Sequence, residues 1–170
     1  GCADVVRILY SAQPGGSPTP TPPDVKWRFP ERRVAFATCM SVPSLDWLGV
    51  DVRDLDLLPD ELDRLADLPE EAYQHDVQHR IGGYPSEIQE TQMALECEHL
   101  ARGLPDPVWG AEIPPTIARA SKDWRLLLQI DSDPALKMNF GDGGRLYVFI
   151  RERHARAGDF SKTVSLWQTY

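Results

Sequence analysis

Cysteine is scarce in this sequence: Cys2, Cys39 and Cys97 stand far apart, with no CxxC pair and no zinc-knuckle spacing. An odd, scattered set provides neither a disulfide framework nor a structural zinc site, and it reads as reduced thiols. Long apolar runs are also lacking. None approaches the ~18 to 20 residues of a membrane span, and no stretch has the basic, apolar and small-residue order of a signal peptide. A cytoplasmic location without a membrane partner is therefore expected. Cations are the minority charge, with 18 Lys and Arg against 26 Asp and Glu, a formal net charge of −8. Nucleic-acid affinity rests on clustered Lys and Arg that neutralise phosphates, so nucleic acid is not an expected partner.

What is present is ordinary globular material. Hydrophobic residues make up 42% and charged residues 26% of 170, enough for one domain, 1–170, to bury a real core. The chain starts without Met and passes at once into a β-type run, Val5 to Tyr10 (VVRILY), so an N-terminal portion of the domain is expected to be missing. Pro14 to Pro23 (PGGSPTPTPP) removes backbone donors and reads as a surface connection. Arg33 to Thr38 (RVAFAT) alternates with period two and predicts a half-buried strand. Pro59 to Leu68 places Leu62, Leu65 and Leu68 at helical spacing behind a first-turn proline.

In the second half, Ser86 and Gln89 match a capping-box spacing and predict a helix from about residue 84 to Arg102, ended by Gly103. Its apolar stripe includes Cys97, read as core and not as a nucleophile. Three β-type segments follow: Trp124 to Ile130, Arg145 to Ile150 and Thr163 to Trp167. Helices grouped in the middle of the chain, with strands clustered after them, favour an α+β fold: a largely antiparallel sheet with a few amphipathic helices packed on it.

His79 to Tyr84 (HRIGGY) through Gln89, then WRLLLQIDSD at Trp124 to Asp133, GDGGRLYVFI at Gly141 to Ile150 and DFSKTVSLWQ at Asp159 to Gln168 together resemble the YwqG-like family, a bacterial domain of unknown function. The resemblance is carried by residues 75–170, with a looser fit at Phe29 to Ser44. It implies an α+β domain built on antiparallel strands and brings no activity, substrate or cofactor. Members of the family sometimes lie near toxin and immunity genes, which implies a partner-binding role by association.

Catalytic templates fail one by one. His75 and His79 have the i, i+4 spacing of a helical metal pair, but no glutamate of an HExxH motif lies between them and Gly82 and Gly83 follow closely. Gly141, Gly143 and Gly144 precede a strand with no Lys-Ser or Lys-Thr, unlike a phosphate-binding loop. No serine sits in GxSxG. Among five tryptophans, Trp109, between Pro107 and Gly110, is the one expected to be exposed.

Two functional readings stay open. The first is a non-catalytic interaction domain whose partner is a basic protein. Nine carboxylates between Asp51 and Glu71 face only Arg53 and Arg64, with Asp56, Asp60 and Asp63 as the expected contacts. The second is an enzyme or small-ligand binder with a polar pocket of His79, Gln89, Asp131, Asp133 and Asp142 at the end of the sheet, around a divalent ion in one version. No cofactor is indicated by any motif.

Overall fold

The computed structural model describes residues 23–24, 29–30, 32–48, 55–71, 77–89, 92–108 and 110–170. The predicted Val5 to Tyr10 strand, His75, Trp27 and Trp109 lie outside them.

All three predicted C-terminal strands form, each a residue or so longer than expected: β2 (Trp124–Asp131), β3 (Arg145–Arg151) and β4 (Thr163–Gln168). They are consecutive antiparallel neighbours, and the two-residue β1 (Arg80–Ile81) pairs with β2, giving the order β1-β2-β3-β4. The fold is α+β, as expected.

A bulge decides which residues of β2 meet the core. Strict alternation along WRLLLQID would put Leu128 and Ile130 on the same face as Trp124 and Leu126. Instead the register slips between Leu126 and Leu128: Leu126 opposes Phe149, Leu128 opposes Val148, Gln129 opposes Tyr147 and Asp131 opposes Arg145. One extra residue on one strand exchanges the faces of everything beyond it. Gln129 and Asp131 thereby join the inward row, at 0% and 3% exposure.

Helix α3 (Met93–Arg102) packs on that row. Met93 and Cys97 meet Trp124, Leu126, Tyr147, Phe149, Val164 and Leu166 in one apolar cluster, where each large side chain contributes roughly 1.5 to 3 kcal/mol by leaving water. Cys97 is core, and burial pushes its thiol well up. Gly103 ends the helix at φ 66°, with Gly103 and Leu104 amides donating to Leu100 and His99 carbonyls, the left-handed stop that favours glycine.

The start of α3 differs from expectation. It begins at Met93 after Gln92, with no side-chain cap, and Ser86 is not a cap at all. Both backbone groups of Ser86 are engaged by side chains from the sheet, which leaves it no freedom to open a helix. A second correction concerns residues 33–38: no strand forms there, and Val34 and Phe36 are 68% and 79% exposed. The alternating pattern has no partner strand among the described residues.

The remaining helices are α1 (Leu45–Leu48), α2 (Pro59–Glu71), α4 (Pro115–Ser121) and α5 (Glu152–Ala157). Ser44 caps α1 by accepting the Trp47 amide at 3.2 Å. Among the described residues no helix is long and apolar enough to cross a membrane. The GDGG turn before β3 is required by close approach: a Cβ on Gly144 would collide with the carbonyl oxygens of Gln168 and Phe140, so only glycine fits.

Candidate functional site

Residues 78–89 form an irregular strap that is fastened across the inward face of the sheet by side chains from three strands. From β2, Gln129 accepts the Ser86 amide at 2.9 Å and donates to the Gln78 carbonyl at 2.8 Å. From β3, Arg145 donates to the carbonyl and hydroxyl of Ser86, each at 3.0 Å, and the Tyr147 hydroxyl donates to the same carbonyl at 2.7 Å. From β4, Gln168 accepts the amides of Ile88 and Gln89 at 2.9 and 3.3 Å. Past the short β1 ladder the strap runs without a neighbouring strand and would otherwise bury unsatisfied backbone groups, and these side chains supply what such a strand normally does. Burial pushes the Tyr147 hydroxyl far up, against the Arg145 charge beside it, so it acts as a neutral donor.

His79, Asp131 and Asp133 come together at the end of β2. His79 Nδ1 accepts the Asp131 amide at 3.0 Å, which leaves the ring proton on Nε2, 3.3 Å from Asp133 Oδ2. Asp131 accepts the Gln78 amide at 2.9 Å and pairs with Arg145 Nε at 3.0 Å, an ion-pair contact whose N–H is not aimed squarely at the oxygen. Asp133 caps a 3-10 turn, Pro134–Leu136, by accepting the Ala135 and Leu136 amides. Slight burial opposes its charge, but the His79 hydrogen bond and the two amides outweigh it and hold the carboxyl below the usual range.

The other two members of the predicted pocket are held apart from this trio. Gln89 is exposed and donates to the Thr169 carbonyl at 2.9 Å. Asp142 is exposed in the turn before β3, and within the described residues its side chain makes no hydrogen bond or ion pair, although its carbonyl accepts the Tyr170 amide. Among the described residues no group of three or more His, Cys, Asp and Glu side chains is arranged to hold a metal ion. Chemically, the trio has both imidazole nitrogens in use and a carboxyl shifted towards ionisation, the opposite of the raised carboxyl that general acid catalysis needs.

A domain of unknown function, DUF1963, matches residues 3–169 of this sequence. The chain belongs to that family. No curated protein matches it. The match takes in the strap, all four strands and α3, and it extends well upstream of the residues that carry the sequence resemblance.

The DUF1963 domain holds a second buried polar group that composition did not flag. Glu98, on the inward side of α3, has no exposure. It accepts the Trp124 indole N–H at 3.0 Å and close hydrogen bonds from Arg102 and Arg151, while Arg151 lies 4.5 Å over the Trp124 ring. Burial raises the cost of its charge, and the bonds from Arg102 and Trp124 with the Arg151 charge overcome it, so the carboxyl stays below the usual range. The cue in the sequence is a glutamate at helical spacing from Ala94 and Leu95, beside the apolar stripe of Met93 and Cys97.

On α2 of the DUF1963 domain the carboxylates behave differently. Asp60 and Asp63 on the helix and Asp56 just before it are exposed, and none has an ion-pair partner among the described residues. Glu61 alone has a local duty, accepting the Leu58 amide at the helix start at 2.9 Å.

Proposed function

We propose that this DUF1963 domain is a non-catalytic protein-interaction module that engages a basic partner through the acidic face of α2. The observation that carries the reading is that Asp56, Asp60 and Asp63 point their charge at solvent with no ion pair among the described residues, while Gln129, Arg145 and Glu98 are occupied inside the fold. Helix stability does not explain the charge distribution. Acids suit the first turn, but the last turn of α2, residues 68–71, carries two acids and no base, an arrangement the helix dipole disfavours. Clustered like charge of this kind speeds encounter with a partner of opposite sign. The reading includes a YwqG-like, bacterial and cytoplasmic protein, supported by the motifs and by the fact that among the described residues no helix is long and apolar enough to cross a membrane.

The test is native mass spectrometry of complexes retained from the host cytoplasm, with the parent chain beside a triple variant, Asp56→Lys, Asp60→Lys and Asp63→Lys. A specific basic protein held by the parent, lost in the variant and released by salt is the expected result. Undiminished retention by a folded variant overturns it.

A further inference from the structure

A concave surface that shares no residue with the His79 trio opens between α1, the strap, the first turn of α3 and the corner joining α4 to β2. Its volume is about 740 Å³, within the ~300 to 1,000 Å³ of small-molecule sites. Its aromatic walls are fixed from behind. Trp47 stacks on the buried Phe149, with centroids 5.9 Å apart and planes 20° apart, and meets Tyr84 edge-on at 6.2 Å. Trp124, only 2% exposed, backs the cavity from the core, locked by its bond to Glu98 and by Arg151 over its ring. An indole held as rigidly as Trp47 takes up a flat apolar molecule at little cost in side-chain freedom.

The charges in the lining set which way round such a molecule sits. Lys122 and Arg125 come from the α4–β2 corner and Glu87 from the strap. Arg125 is committed to Glu152 and to the Lys122 and Trp124 carbonyls, and Glu87 accepts the Ser44 hydroxyl at 3.2 Å. Lys122 is exposed and has no ion pair among the described residues. We infer that the cavity binds a flat aromatic molecule with one anionic group, its ring against Trp47 and its anion at Lys122. This site is independent of the acidic face of α2.

The probe is 8-anilinonaphthalene-1-sulfonate, titrated into the full chain and followed by its fluorescence and by calorimetry. One saturable site is expected. Lys122→Glu exchanges an attraction for a repulsion and weakens binding roughly tenfold, whereas uncharged N-phenyl-1-naphthylamine is indifferent to that change. Ala118→Trp fills the cavity and abolishes binding of both dyes, with circular dichroism and melting confirming the fold. If Ala118→Trp does not fold, the exposed Lys122 variant decides alone. Absence of saturable binding, or a sulfonate affinity that Lys122→Glu leaves unchanged, overturns the inference.

Discussion

Glu98 shows what one residue does when it is buried with charge. Its carboxylate joins α3 to the Trp124 indole and to Arg151, whose side chain is only 11% exposed. Breaking one side of a buried pair strands the other charge, so Glu98→Gln is expected to lower stability by about 3 kcal/mol at neutral pH, measured by urea unfolding. The pH dependence has a defined sign. A carboxyl whose folded pKa is depressed contributes stability that is complete above its unfolded value, about 4.3 for Glu, and that is lost as pH falls through the lower folded value. The parent should therefore weaken steeply below that point, and Glu98→Gln should show a shallower acid limb. An equal slope in both proteins would mean that Glu98 is not a source of the acid sensitivity.

At the scale of elements, the sequence showed what propensity and period control. The three C-terminal strands were readable because β-branched and aromatic residues run between turn signals, and Gly103 was readable as a stop because few other residues take its φ. The bulge in β2 was not readable, since Leu126, Leu127 and Leu128 are identical and no glycine or proline marks the slip. Without it, Gln129 and Asp131 fall on the wrong face, and the strap loses its side-chain partners from β2. The capping-box reading of Ser86 failed for the same reason, because its backbone partners come from strands 43 and 59 residues away in sequence. Of the predicted pocket, His79, Asp131 and Asp133 meet, while Gln89 and Asp142 are held elsewhere. The strap yields its own prediction: Gln129→Leu removes the partners of the Ser86 amide and the Gln78 carbonyl, and should cost roughly 2 to 4 kcal/mol by leaving one buried and one part-buried group unsatisfied. Urea unfolding measures it, and a loss below about 1 kcal/mol would mean the strap finds other partners.

For the whole molecule, stability and display are assigned to different polar groups. Inward polar residues on β2, β3 and β4 fasten a segment that is irregular beyond the short β1, while Asp56, Asp60 and Asp63 stay outside the network and keep their charge for solvent. Substitutions on α2 should therefore alter association without moving the melting point, and substitutions in the inward row should do the reverse. The fastened strap also has a consequence in time. Irregular segments usually exchange their amide hydrogens with solvent quickly, because nothing but a local fluctuation protects them. The amides of Ser86 and Ile88 are held by glutamines rooted in the sheet, so they can exchange only when the sheet itself opens. In deuterium these two positions should keep pace with the slow amides of β3 and lag far behind those of the Gly141–Gly144 turn. A stretch that looks like a loop would then keep the clock of the core.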